Sequence, residues 1–458
     1  MGNPFEEEST DLLVLDTQEI LGPAAVESPL QGSDSELFSR LYITCQTRDG
    51  DLEQFFKHEN SAHPPALSQN GRIRFGSKSD LLRPLEQLVE PTSHPPQVSS
   101  VILDGAAVVQ MLNPGHSKTF LDYATDVFVP YILSQLQNHS RLDLVWDRYA
   151  NSGSLKATAR ANRGKGIRRR VTGTALLPGN WHTFLRVDEN KEELFHFLSK
   201  QVMESINVPE KQLIATDGEQ VIAVPPFEDT AALAPCNHEE ADTRMMVHAA
   251  DAVKSGHRRI LIRTVDTDVV VLAVWMAQEL HEAVDELWLA IGTGKSFRYI
   301  AAHKLAASLP DKSKALPVFH AITGCDIVSS FAGRGKITAW AVWDIFPEVT
   351  NAFLTLASAP KVNLARKKLF AKKARSIEAI PPTQAALEQH VKRAMYQGGY
   401  CWGQSLVPRC TLPSPCDWGW VENDGQFDPL WTTLPEAAKS CYELISCGAK
   451  RLQWEMQV

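Results

Sequence analysis

The chain has 458 residues, 44% hydrophobic and 22% charged, with a formal net charge of -8. That composition is globular and excludes wholesale disorder, and the negative balance excludes a generally basic nucleic-acid coat. The longest apolar run, VVVLAVWMA at 269–277, falls well short of the roughly 18 residues a membrane span needs, so no membrane partner is expected.

Residues 1–35 are acidic and rich in Ser, Gly and Pro, the pattern of a poorly ordered lead-in. The first residues carry neither a basic n-region nor an apolar h-region, and Glu6 stands where a myristoylation signal wants Ser or Thr. Eight cysteines lie scattered without a CxxC pair, and Cys441 with Cys447 alone makes no zinc site. Reduced thiols and an intracellular protein are the expectation, with the nucleus as the favoured compartment. An amphipathic N-terminal region of unassigned role runs from 36 to 95 and closes on EPTSHPPQ.

From 96 to about 345, short apolar runs alternate with helical stretches. VSSVILD (98–104), LDLVWD (142–147), QLIATD (212–217), RRILIRTVD (258–266) and ELWLAIGTG (286–294) read as buried parallel strands. The segments FLDYATDVFVPYILSQLQ and HEEADTRMMVHAADAVKSG between them read as helices. The expected fold is α/β, a parallel twisted sheet flanked by helices, with N- and C-terminal extensions. Residues 346–458 form a helical, Trp- and Cys-containing C-terminal region, whose tryptophans between 402 and 431 read as packing.

Several of these strands end in acids: Asp104, Asp147, and the pair Asp266 and Asp268 in VDTD. Ligands of parallel α/β sheets bind outside the carboxyl ends of the strands, so these acids are expected to converge at one edge. Glu240 and Asp242 of EEAD and Asp326 of TGCD belong with them. A single strand-end Asp is ordinarily a cap or turn former. A cluster of this size cannot ionise in one cleft without counter-charge, and Mg2+ or Mn2+, as one or two ions, is the natural partner of an all-oxygen set.

Between Arg148 and Val187 there is no acid, whereas Lys156, Arg160, Arg163, Lys165, Arg168, Arg169 and Arg170 all occur. The spacing 156, 160, 163 puts three cations on one helix face, suited to gripping phosphate; a solvated face or a nuclear-localisation run is the plainer reading. A second acid-free block, KVNLARKKLFAKKAR at 361–375, is open to the same readings. GTGKS at 292–296 is not a phosphate loop, because Leu289 stands where the first glycine is required; it reads as a strand-to-loop turn with Lys295 near the acidic edge.

In this order, ILDG, VWDRY, EEAD, VDTD and TGCD followed by GRGK resemble the motifs of the flap-endonuclease and XPG class of PIN-like nucleases, asteroid-like proteins included. The resemblance covers about 98–340. It implies a metal-dependent nuclease with Asp104, Asp147, Glu240, Asp242, Asp266, Asp268 and Asp326 as catalytic metal ligands, Asp242 replacing a Glu. It places Lys156, Arg160, Arg163 and Arg168 in a basic gateway over single-stranded nucleic acid, and Gly333, Gly335 and Lys336 in a hairpin that holds duplex backbone, with DNA favoured over RNA. The pattern departs from the family in that about 95 residues precede its first motif. Over nearly its full length the chain also resembles a group of animal proteins carrying HEEADTR, DTDV and TGCD, whose many copies imply a mobile-element origin.

Two rival classes remain open from sequence. One is a catalytically inactive PIN-like module that binds nucleic acid or protein, an accessory factor of a mobile element included. The other is a haloacid-dehalogenase-type phosphatase with Asp266 as nucleophile, which leaves Asp104, Asp147, Glu240 and Asp242 unexplained. His238 and His320 adjoin the acidic motifs and could assist them, a capping or core histidine being the plainer reading of each.

Overall fold

The computed structural model describes residues 56–59, 61–149, 153–161, 166–206, 210–355, 378 and 380–434. The chain divides into two units, His63–Leu434 and a second made of Met1–Ala62 with Pro435–Val458. Of the second unit only residues 56–59, 61 and 62 are described. The basic block at 361–375 lies outside the described residues, as do Arg163 and Lys165.

His63–Leu434 is built on a seven-stranded sheet: β1 Ser100–Asp104, β2 Arg141–Val145, β3 Gln212–Asp217, β4 Gln220–Val224, β5 Arg259–Thr264, β6 Glu286–Ile291 and β7 Arg298–Ala301, in the order β4-β3-β2-β1-β5-β6-β7. The inner pairings β3-β2, β2-β1, β1-β5 and β5-β6 are parallel. Each edge is closed by an antiparallel hairpin partner, β4 and β7, so the sheet is mixed rather than wholly parallel.

The five inner strands are the apolar runs that the sequence marks as buried. Side-chain alternation splits β1 between two cores: Ile102 enters the layer containing Val145, Ile260 and Leu287, while Val101 and Leu103 enter the layer with Leu142, Phe128 and Leu198. All three are wholly buried, each contributing about 1.5–3 kcal/mol relative to exposure. The edge strands escape a sequence reading because they are short and only partly buried, so they carry no continuous apolar run.

The helices used below are α1 Gly105–Met111, α2 Leu155–Ala161, α3 Asp188–Ser205, α4 Ala241–Lys254, α5 Thr267–Glu279, α6 Lys312–Ile322, α7 Lys336–Ile345 and α8 Gln384–Met395. Helix α5 absorbs the apolar run after Asp268: β-branched residues are weak helix formers, yet Val269, Val270, Val271 and Val274 are fully buried, and packing overrides propensity. No described helix is long and apolar enough to cross a membrane. The tryptophans Trp402, Trp420 and Trp431 are buried packing residues. The described cysteines Cys236, Cys325, Cys401, Cys410 and Cys416 are free thiols.

Candidate functional site

The acids meet because strand ends and helix starts coincide at one edge of the sheet. Asp104 is the last residue of β1 and caps α1, accepting a hydrogen bond from the Ala107 amide at 2.9 Å. The next residue must be small: a Cβ on Gly105 would lie 2.2 Å from the Trp146 ring. Asp147, two residues past β2, accepts from the Ala241 amide at 2.8 Å and so ties the second strand to the start of α4, where Glu240 is the N-cap and Asp242 lies in the first turn. Asp266 caps α5 through the Asp268 amide at 2.9 Å. Asp326 lies in the loop between α6 and α7. Oxygens of Asp242, Asp266 and Asp268 all come within 4.8 Å of one another.

The electrostatics follow from crowding. Burial raises the Asp104 pKa, Asp147 beside it adds to the effect, and together they bring it to about 7. Glu240 is also pushed up to about 7, by burial acting against the pull of Lys156. Asp242 is raised well above the carboxylate range by burial and by Asp266, Glu240, Asp268 and Asp104. Asp266 is raised by burial and by Asp268. Asp268 and Asp326 go the other way. Burial opposes their ionisation, but a hydrogen bond from His320 together with Lys78 holds Asp268 ionised, and Lys156 with Lys78 does the same for Asp326.

Two lysines supply the counter-charge. Lys78 Nζ donates to both oxygens of Asp266 at 3.0 and 3.1 Å and to Asp268 at 3.1 Å, and lies 3.1 Å from Asp326. Lys156 Nζ lies 2.5 Å from Glu240 and 3.7 Å from Asp326. Seven carboxylates thus face two ammonium groups. Asp242 has no ion-pair partner or hydrogen-bond donor among the described residues. An all-oxygen donor set with an unpartnered, half-buried carboxylate at its centre fits a hard divalent cation such as Mg2+ or Mn2+.

The basic segment is arranged differently from a row of open cations. Helix α2 is docked face-down: Lys156 onto Glu240, and Arg160 onto Asp188 and Glu239, both at 2.8 Å. Arg168 pairs with Glu193 and donates to Asn190 Oδ1 at 3.0 Å. Gly333 and Gly335 lie in an exposed turn before α7, Gly333 at φ +62°, and a Cβ at either would meet nothing within 4 Å. Lys336 does not join them, which corrects its reading as a phosphate contact. Its side chain turns inward and Nζ donates to the His320 carbonyl at 2.7 Å and Thr323 Oγ1 at 3.0 Å. The reason is the open C-terminus of α6, whose carbonyls attract a cation. Burial lowers the Lys336 pKa to about 7.

His320 departs from the plainer reading of a core histidine. His320 is buried and its Nε2 donates to Asp268 Oδ1 at 2.8 Å, so it is a direct partner of a site acid and not a spectator. Burial, with Lys336 nearby, lowers its pKa to about 4, so the ring is neutral with its proton on Nε2. His238 is a core histidine bonded to the Val407 carbonyl at 2.8 Å. Lys295 sits exposed in the turn Gly294–Ser296 after β6 and makes no ion pair with a described acid. Lys78 is a residue of this cluster that the sequence does not disclose: it lies 188 residues from Asp266, in a stretch without an acidic motif.

No protein-family model matches the chain, and no curated protein matches it. Among solved structures it is similar to T5 5'-exonuclease with bound divalent metal ions (zinc), at TM-score 0.36 and 13% identity over 68% of this chain and 94% of that one. It is similar to T5 D15 protein co-crystallised with metal ions at TM-score 0.33 and 12% identity, over 67% of this chain and 97% of that one. It is also similar to the catalytic core of Rad2 in complex with DNA substrate, at TM-score 0.37 and 12% identity over 81% of this chain and 99% of that one.

Proposed function

We propose that the chain is a divalent-metal-dependent nuclease that hydrolyses phosphodiester bonds in structured or single-stranded nucleic acid, DNA ahead of RNA. The observation that carries this reading is the excess of carboxylates gathered from separate strands around Asp242, which has no ion-pair partner among the described residues. Mutual repulsion makes such a cluster costly unless a cation completes it.

Asp104, Asp147, Asp242 and Asp266 are the oxygens that would hold the ion. When bound, a divalent cation supplies Lewis-acid activation of water and of a phosphoryl oxygen. The chain's own groups do the rest. Glu240, pushed up to about 7, is matched to taking or giving a proton at neutral pH. Lys156 stands beside Glu240 and Asp326, where an ammonium stabilises charge developing on a phosphate. His320 fixes the orientation of Asp268 and keeps it ionised. The exposed turn carrying Gly333 and Gly335 leaves room for a phosphodiester backbone to approach. A phosphatase built on Asp266 and Asp268 alone gives Asp104, Asp147 and Asp242 no role.

Calorimetric titration of Mn2+ into the wild type and into the folded Asp104→Asn/Asp242→Asn variant tests the reading. Saturable binding lost in the variant supports it. No binding to the folded wild type, with and without an oligonucleotide carrying non-hydrolysable linkages, replaces it with a silent module that binds nucleic acid or protein.

A further inference from the structure

Lys78 stands where the acids converge. Its Nζ donates to Asp266 Oδ1 at 3.0 Å, to Asp266 Oδ2 at 3.1 Å and to Asp268 Oδ2 at 3.1 Å, and lies 3.1 Å from Asp326 Oδ1. The remaining Asp268 oxygen, Oδ1, takes the His320 bond at 2.8 Å. Oxygens of Asp242, Asp266 and Asp268 are the ones that come within 4.8 Å of one another. Asp266 and Asp268 therefore offer no oxygen that a donor does not already hold, and an ion that takes Asp266 meets the ammonium there.

The backbone that carries the lysine is fixed to the site. The Ser330 amide donates to the Arg74 carbonyl at 2.8 Å, and the Ala332 amide donates to the Ala66 carbonyl at 2.8 Å. A Cβ on Gly76 would lie 3.0 Å from Ser330, so the backbone approaches the loop after Asp326 closely. The turn Lys78–Leu81 then buries Leu81 fully in the core that contains Val269 and Val270 of α5. The side chain has more freedom than its anchor: it is 20% exposed, and a lysine's flexible stem can carry the ammonium out to solvent while the backbone stays.

We propose that Lys78 is an internal competitor of the divalent ion: it fills the acidic edge while the edge is metal-free, and an ion binding there drives its ammonium off Asp266 and Asp268. Both cations need the same oxygens. Mg2+ sits about 2.0–2.1 Å from its oxygen ligands, inside the 3.0–3.1 Å at which the ammonium holds those carboxylates. Two cations at that range in a largely buried site repel strongly, so occupation by one excludes the other. The apparent affinity for the ion is lowered by the fraction of molecules in which the ammonium is withdrawn. A residue that precedes the first acidic motif thus sets how much free ion the site needs, and its fixed backbone returns the ammonium when the ion leaves.

The inference rests on the acidic edge being a metal centre, and the test separates the two. Mn2+ is titrated calorimetrically into the full chain as wild type and as Lys78→Met, with circular dichroism confirming the fold. Lys78→Met binding Mn2+ at least tenfold more tightly is the expected result. Unchanged or weaker binding overturns the competition, and no binding by either folded protein sinks the metal-centre reading itself. A second measurement needs only the wild type: acetylation of lysine amines, read residue by residue by mass spectrometry, with chelator and at rising Mn2+. Lys78 is expected to label slowly in chelator and several-fold faster with Mn2+, because displacement frees its amine. Labelling of Lys78 that stays constant or slows with Mn2+ overturns the inference even where Lys78→Met binds more tightly, since removing a nearby charge raises affinity without any displacement.

Discussion

Replacing Asp242 by Asn removes an ionisable carboxyl from the centre of the cluster with almost no change in shape, and it separates stability from function. Oxygens of Asp242, Asp266 and Asp268 lie within 4.8 Å of one another. At an effective dielectric of about 20, each such pair of unit charges repels by roughly 3 kcal/mol, and Lys78 offsets part of this. The relief available to the metal-free protein is therefore about 3 kcal/mol. The sign follows from the raised folded-state pKa of Asp242, caused by burial and its acidic neighbours. The folded wild type keeps a proton that the unfolded chain gives up, so its stability falls relative to Asp242→Asn as pH rises above about 4. The gap widens by at most about 1.4 kcal/mol per pH unit and levels off once the folded carboxyl ionises. Urea denaturation in the presence of a chelator at pH 5 and pH 8 measures it. The variant gains on the wild type between the two pH values, and the same variant loses at least tenfold in Mn2+ affinity. Parallel pH dependence of the two proteins, or a variant less stable at pH 8, refutes the reasoning.

Mn2+ binding strengthens as pH rises from 5.5 to 7.5 and then levels off, because Asp104 holds a proton up to about 7 and must release it to serve as a ligand. Calorimetry in buffers of different ionisation enthalpy reads the protons released, and none released at pH 6 contradicts this. Lys336→Met costs about 1–3 kcal/mol of stability through the lost bonds to His320 and Thr323. Because Lys336 is buried, the substitution leaves the salt dependence of oligonucleotide binding unchanged, as measured by fluorescence anisotropy; a reduced salt slope places it in contact with phosphate after all. Asp143→Leu breaks the fully buried pairing of Asp143 with Arg141 (2.7 Å) and His248 (2.7 Å) and destabilises by about 3–5 kcal/mol in chemical denaturation; a change under 1 kcal/mol shows that the network relaxes.

What the sequence disclosed is tied to local pattern. The five inner strands announce themselves as apolar runs, and acids at their carboxyl ends converge because parallel strands share one direction. Asp104, Asp147 and Asp266 are therefore found by reading forward to the end of a strand. Lys78 escapes the same reading because its partners are distant in sequence. Lys336 follows two glycines and starts a helix, which resembles an exposed phosphate contact, and only the packing of α6 shows that its ammonium is turned to a helix end. Arg160 sits on the cationic face that its spacing predicts, but Glu239 and Asp188 cover that face. His320 carries no local signal separating a core histidine from a partner of Asp268. Edge strands and ion-pair partners are decided by tertiary neighbours, and a single sequence does not list neighbours.

The most direct test of the central claim is cleavage of end-labelled 5'-flap, hairpin and single-stranded oligonucleotides by the purified protein, with Mn2+ or with chelator, beside Asp104→Asn/Asp242→Asn. Products that need the metal and vanish in the folded variant are the predicted result. Cleavage that persists in the chelator or in the variant, or none from a wild type that binds Mn2+ and nucleic acid, contradicts it.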